Sequence, residues 1–361
     1  MKNPFTPTYG SVPPLFAGRR EIIRQIIFGI ENGPGDPNRS TVITGARGTG
    51  KTALLHQIAV EALEYGFISV YANSNSVLLD EILRRLEKEA SEFIERENKA
   101  KISEVNISGF GIKIEYSDQK KSWEENLENI IEQLTAMNIG VLFEIDEVRG
   151  GDEQIRRFAS LFQTFITARK NVCLIMAGLP HNIDNLFKDK VISFIRRSRK
   201  QELGLIDMSE VFYTLRETIE TEGKTIDADA LKIMTEETAG FPYLIQLIGY
   251  EVWQVSGDKK NIRRKDAEDG IRNAQRYIVS SVIELTLNDL SDKDREFLVA
   301  VSQLDTPADM SLIAQKLNVD SRYISQYRLR LIKEGVITSV KRGFVDFVLP
   351  QFRKYLRELS E

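Results

Sequence analysis

The chain has 361 residues, 42% hydrophobic and 28% charged, with a net charge of −4; this predicts two or three ordinary soluble domains, and any nucleic-acid surface must be local. One cysteine, Cys173, and two histidines exclude a disulfide framework and a structural zinc site, and suit a reducing cytoplasm. No apolar run approaches the ~18 residues of a membrane span, and the N-terminus lacks the apolar core of a signal peptide.

Pro4, Pro7, Pro13 and Pro14 predict an extended lead-in. Phe16-Ala17-Gly18-Arg19 then opens a helix running to about Glu31, and the turn cluster from Asn32 to Asn38 leads into a short β-branched strand, Ser40 to Thr44. Next comes Gly45-Ala46-Arg47-Gly48-Thr49-Gly50-Lys51-Thr52, which fits G-x-x-x-x-G-K-[ST] without a mismatch, followed by helical periodicity from Ala53 to Leu63. A strand, a glycine-rich turn and a helix in that order form a phosphate cradle. Glycines let the loop amides turn inward, and the helix N-terminus adds partial positive charge. Lys51 reaches the β- and γ-phosphates, and the Thr52 hydroxyl holds Mg²⁺. The reading is a nucleoside triphosphate site with Mg²⁺ as cofactor.

A second strand is expected at Phe67 to Ala72, and a charge-paired helix from about Ser76 to Lys99. Near 101–117 apolar and polar residues mostly alternate around Ser108-Gly109, which predicts an inserted amphipathic hairpin, either a ribbon covering a sheet edge or a partner-binding arm. Trp123 to Met137 is a helix. Gly140-Val141-Leu142-Phe143-Glu144-Ile145-Asp146-Glu147 is an apolar strand closed by two acids. Asp146 is placed to hold the metal through water, and Glu147 to orient and deprotonate an attacking water. Glu144 shares a face with Asp146, without an assigned role.

A helix from Gln154 to Arg169, a strand from Asn171 to Ala177 and a fifth strand from Lys200 to Leu205 complete this part. Before the fifth strand lies a basic cluster, Ile195-Arg196-Arg197-Ser198-Arg199-Lys200. Arg196 or Arg197 is a candidate arginine finger acting in trans on a neighbouring subunit; a solvated charge run, or a phosphate contact within the chain, fits the residues equally. From Met208 to Val282 the pattern is purely helical, broken at Gly223, Gly240 and Gly257.

This order of P-loop, Asp-Glu strand, fourth strand, basic cluster and helical lid resembles the AAA+ group of P-loop ATPases, most closely its origin-recognition-type and archaeal-ATPase/STAND-like branch. Phe16-Ala17-Gly18-Arg19 is similar to the F-x-G-R segment near the adenine, Gly178-Leu179-Pro180 to the ending of strand four, and Ala239-Gly240-Phe241-Pro242-Tyr243 to the G-x-P lid motif. The resemblance covers about residues 12–280. It implies a five-stranded parallel sheet in the order 5-1-4-3-2 with nucleotide at the strands' carboxyl ends. It also implies ATP as the nucleotide, with contacts from Phe16, Gly18, Arg19, Pro242 and Tyr243. Two departures stand out: Ala177 and Gly178 occupy the place of a polar sensor, and Tyr243 that of a lid arginine. Fewer groups around the transition-state charge imply a slow or regulated switch rather than a fast motor.

From Ser291 a third kind of unit begins: a capped helix to Val301, a short helix from Met310 to Leu317, a helix from Ser321 to Gly335, and a hairpin around Lys341-Arg342-Gly343. Three helices and a basic-tipped hairpin resemble a winged helix-turn-helix. Residues 321–357 carry nine basic side chains against two acidic ones, an electrostatic footprint suited to DNA. Arg322, Ser325, Gln326, Arg328 and Arg330 are placed for a major groove, and Lys341 and Arg342 for phosphates or the minor groove; a protein-docking module is the alternative. The expected organisation is a nucleotide-binding core over 1–206, an all-α lid over 207–284 and a winged helix over 285–361. The expected function is a cytoplasmic ATP-dependent switch controlling a DNA-binding winged helix, with a homo-oligomer or protein partner possible and no membrane. Its rivals are a non-hydrolysing STAND-like switch docking on a protein, and a replication- or transposition-type loader with DNA-stimulated ATPase activity.

Overall fold

The computed structural model describes residues 2–8, 12–13, 15–104 and 122–360, which cluster into two compact units. One consists of Arg19–Gly45 and Lys51–Leu203; the other of Met1–Gly18, Ala46–Gly50 and Gly204–Glu361.

The first of these is a layered α/β unit. Its strands are β1 (Ser40–Gly45), β2 (Phe67–Asn73), β3 (Gly140–Asp146), β4 (Val172–Gly178) and β5 (Arg199–Leu203), all parallel, in the order β2-β3-β4-β1-β5. This is the predicted 5-1-4-3-2 sheet. Every residue of β3 and β4 is buried, because crossover helices cover both faces of a parallel sheet. The helices are α1 (Arg20–Asn32), α2 (Lys51–Glu64), α3 (Leu78–Glu104), α4 (Trp123–Ala136), α5 (Glu153–Thr167) and α6 (Pro180–Lys188). A Ser122–Glu125 capping box starts α4, and α5 sends Phe158 and Phe162 onto Phe143, with ring centroids 5.2 and 6.3 Å away. The helix α3 continues to Glu104, so the first residues of the expected 101–117 hairpin are helical; the rest of that segment lies outside the described residues.

The other unit is mainly helical. It contains α7 (Met208–Thr221), α8 (Ala228–Thr238), α9 (Pro242–Ser256), α10 (Arg264–Ile278) and, after a π-turn at Val279–Ile283, α11 (Glu284–Asp289). The segment is not purely helical: two-residue strands, β6 (Thr225–Ile226) and β7 (Asn261–Ile262), pair in parallel. Beside them Lys224 is buried, donating to Ser256 Oγ and the Gly257 carbonyl at 2.6 Å each, with its ammonium over the Trp253 ring. The chain continues as α12 (Asp292–Ser302), β8 (Ala308–Asp309), α13 (Met310–Leu317), α14 (Ser321–Lys333), β9 (Ile337–Lys341), β10 (Phe344–Phe347) and α15 (Gln351–Glu358). The sheet β8-β10-β9 is antiparallel, and Ser291 caps α12. One apolar core, from Leu215, Ile248 and Trp253 through Ile283 to Phe297, Leu331 and Phe352, runs through the whole of this unit.

Candidate nucleotide site

The turn between β1 and α2 depends on two glycines. Gly48 (φ 75°) and Gly50 (φ 86°) lie in the left-handed region, where a Cβ is strained. Gly45, expected to share that role, instead closes β1 in register with Leu203. The Thr49 amide and hydroxyl both donate to the Ala46 carbonyl, at 3.4 and 2.8 Å, which fixes the tip of the loop. Lys51 begins α2 and its Nζ donates to the Gly45 carbonyl at 2.9 Å. No acid of α2 itself occupies its first turn; the carboxylate at this helix end comes from β3.

Opposite Lys51 and Thr52, at the carboxyl end of β3, stands Asp146, which is buried. Its Oδ2 accepts the Thr52 hydroxyl at 2.5 Å and the Tyr71 hydroxyl at 3.3 Å, while Oδ1 accepts the Glu147 amide at 2.8 Å. Thr52 and Asp146, separated by 94 positions, thus supply a hydroxyl and a carboxylate to one point, the hard oxygen ligands that Mg²⁺ prefers. Glu147 is exposed and holds a left-handed backbone (φ 53°), a conformation that costs a side-chain-bearing residue energy and collects at functional positions. Its carboxylate therefore leaves the strand while Asp146 stays within it.

Sequence reasoning left Glu144 unassigned and passed over Ser69 and Tyr71. Pleating puts Ser69, Tyr71 and Asn73 of β2 on the face of Leu142, Glu144 and Asp146. Ser69 donates to Glu144 Oε2 at 2.5 Å, whereas the buried Oε1 has no partner. Burial, reinforced by Asp146, pushes the Glu144 carboxyl up to about 8, so this acid is protonated at neutral pH. Burial and Asp146 likewise raise Tyr71, keeping its phenol a donor. The signal was available: three polar residues at alternate positions of one strand, which share a face.

Residues 36–187 match the sequence profile of the AAA domain. These residues are an AAA domain with a P-loop. Residues 280–356 match a domain of unknown function (DUF8462), and a search of curated proteins found no match. Among solved structures, the fold is similar to the Walker-type ATPase PABY2304 of Pyrococcus abyssi, with 16% identity, TM-score 0.67, and 95% of this chain and 96% of that one covered. It is also similar to the Aeropyrum pernix ORC2 protein, solved as ADPNP-ADP complexes, with 13% identity, TM-score 0.62 and 98% and 97% coverage. The Aeropyrum pernix ORC1 protein in complex with DNA gives 16% identity, TM-score 0.50 and 96% and 94% coverage.

The other expected site residues fall as follows, each within its own unit. Phe16 and Gly18 are half-buried in the turn before α1, and Arg19 is buried at its N-cap. Pro242 and Tyr243 open α9. In the unit that includes Ala46–Gly50, a Cβ on Gly48 would meet the Phe241 ring at 2.7 Å, so the loop tip lies on the start of α9. Arg47 is exposed, its side chain along Gly335 just after α14. The ends of β4, Ala177 and Gly178, are buried and offer no polar side chain. Arg196 is exposed and its Nε donates to the Phe187 carbonyl at 2.6 Å; Arg197 is exposed.

In the C-terminal part, Arg322, Ser325, Gln326, Lys341 and Arg342 are exposed. Arg328 donates to Ser339 Oγ, bracing α14 against β9. Arg330 is committed to the fold: it binds buried Asp294 through Nε at 2.9 Å and Nη2 at 2.5 Å, and lies over the Tyr327 ring. Arg353 pairs with Asp346 and donates to the carbonyls of Val301, Ser302 and Leu304, and Arg357 donates to Ser302 and Leu304. Three of the nine basic side chains counted for DNA thus hold α12, α14 and α15 together.

Proposed function

We propose that this protein is a Mg²⁺-dependent ATPase of low or regulated turnover, whose nucleotide state controls a C-terminal winged helix bound to double-stranded DNA. The observation that carries the reading is the Thr52 hydroxyl on the Asp146 carboxylate, 2.5 Å apart, beside the P-loop lysine. ATP and Mg²⁺ fit this donor set. The metal would neutralise phosphate charge; Thr52 and Asp146 would hold it. Lys51 and the loop amides from Gly45 to Thr52 bind and orient the phosphates. Glu147, projected by its left-handed backbone, takes a proton from the attacking water. The ADPNP-ADP complexes of the similar ORC2 protein support a nucleotide in this fold. The apolar ends of β4 support slow turnover, since no polar side chain there steadies the developing charge. Arg197 is the candidate for completing a neighbouring subunit's site in a homo-oligomer.

The order helix, strand, two helices and a two-strand wing supports the winged-helix assignment, and the DNA complex of the similar ORC1 protein supports DNA as its ligand. The contacting set is Arg322, Ser325, Gln326, Lys341 and Arg342. Arg47, lying along Gly335, supports a link between loop and wing. Among the described residues no helix is long and apolar enough to cross a membrane, and the proposed location is the cytoplasm. One observation favours a second reading, a switch that docks on a protein: Tyr323, Leu329 and Val340 are exposed apolar groups on the same elements. A salt-titrated duplex-binding assay with and without ATP separates the two. DNA affinity falling steeply with salt, and weakened in an Arg322/Lys341/Arg342 triple alanine variant, supports the first reading. Absence of binding at low salt refutes it.

A further inference from the structure

Resting on the nucleotide reading above, we propose that Tyr71 is a positioning residue for the metal site, its hydroxyl setting the orientation of the Asp146 carboxylate.

Tyr71 lies on β2, the edge strand of the sheet, whose alternate residues are half-buried. β2 lies next to β3, whose seven residues are all buried, and both faces of a parallel sheet are normally apolar. Yet β2 directs Ser69, Tyr71 and Asn73 to one face, in register with Leu142, Glu144 and Asp146. Two of these side chains end on acids of β3, Ser69 on Glu144 and Tyr71 on Asp146. The polar stripe of β2 therefore serves carboxylates, only one of which is at the phosphate loop.

The phenol is held by its ring. His56 of α2 packs edge-on against it with centroids 5.0 Å apart, and the Arg85 guanidinium of α3 lies 5.7 Å from its centroid. A hydroxyl on a ring clamped from two helices has little freedom, so its position is set by packing rather than by the carboxylate it serves. It lies 3.3 Å from Asp146 Oδ2 and 3.1 Å from Asn73 Oδ1, and its single proton serves one acceptor at a time, the charged carboxylate being the stronger. With the Thr52 hydroxyl on the same Oδ2 and the Glu147 amide on Oδ1, the carboxylate meets donors from β2, α2 and its own strand end. Of these, Tyr71 is the only one outside both the P-loop motif and the Asp-Glu pair. Groups that orient a metal carboxylate from behind typically change metal affinity or activity about 10-fold or more when removed.

The Tyr71→Phe substitution deletes the hydroxyl and keeps the ring between His56 and Arg85. With the full chain, the probe is a fluorescent ATP analogue, titrated first in EDTA and then with Mg²⁺ at fixed nucleotide. The expected result is nucleotide affinity in EDTA within about twofold of wild type, an unchanged melting temperature, and about 10-fold more Mg²⁺ for half-saturation. In an Asp146→Asn background the same substitution should have no further effect, because the group it orients is gone. An unaltered Mg²⁺ requirement, or a full additional loss in that background, overturns the role of Tyr71 while leaving the site intact. If the wild-type chain binds no nucleotide at all, the site reading fails and this inference fails with it.

Discussion

Replacing Glu144 with glutamine removes a buried carboxyl while nearly conserving its shape. Only 1% of Glu144 is exposed; one oxygen takes the Ser69 hydroxyl and the other has no partner. Its ionisation is displaced from 4.5 to about 8 by burial first, with Asp146 adding repulsion. An acid whose folded-state value is raised gives its full stability below its unfolded value and loses it as pH climbs through the folded one. The window therefore runs from about pH 4.5 to about pH 8. At about 1.4 kcal/mol per pH unit, wild type should lose on the order of 3 kcal/mol relative to Glu144→Gln between pH 5 and pH 8. The assay is urea unfolding of both full-length proteins at these two pH values, without nucleotide or metal. Taking the difference between the proteins cancels every titration they share. Glutamine brings an amide that needs a partner, which offsets the curve by a pH-independent amount and leaves its slope alone. Parallel pH–stability curves for the two proteins would refute the reasoning, since they would mean that Glu144 titrates as it does in the unfolded chain.

Lys51→Ala should abolish ATP binding by calorimetry, the loop losing the ammonium that meets the phosphates. Glu147→Gln should still bind ATP with near wild-type affinity but release no phosphate; unchanged release would remove Glu147 from its role. Arg330→Ala should lower stability by about 1–3 kcal/mol in chemical denaturation, because it leaves Asp294, 3% exposed, without its cation. A variant as stable as wild type would return Arg330 to the pool of groups available to a ligand.

How much of this was legible beforehand depends on the range over which each property is decided. The P-loop was legible because its spacing is a local code: two left-handed glycines and a lysine on the first helical turn act within eight residues. The fully buried β3 and β4 were legible as apolar runs, and the sheet order followed from the resemblance those motifs carry. The pairing of β6 with β7 was not, because two-residue strands have no periodicity and exist only where Lys224 and the helices bring them together. Nor were the duties of Arg330, Arg353 and Arg357. A basic residue reads the same in sequence whether it faces solvent or binds Asp294 or a helix-end carbonyl.

By itself, then, the sequence determined the elements whose chemistry is contiguous: the cradle, the Asp146-Glu147 strand end, and the run of helices and hairpin after Ser291. Only the tertiary structure decided that Thr52 meets Asp146, that Tyr71 stands behind that carboxylate, that Glu144 is held neutral, and that Glu147 turns outward. Hydrogen bonds and desolvation act over a few ångströms in space, and residues 52, 71, 144 and 146 become neighbours only when the parallel strands align.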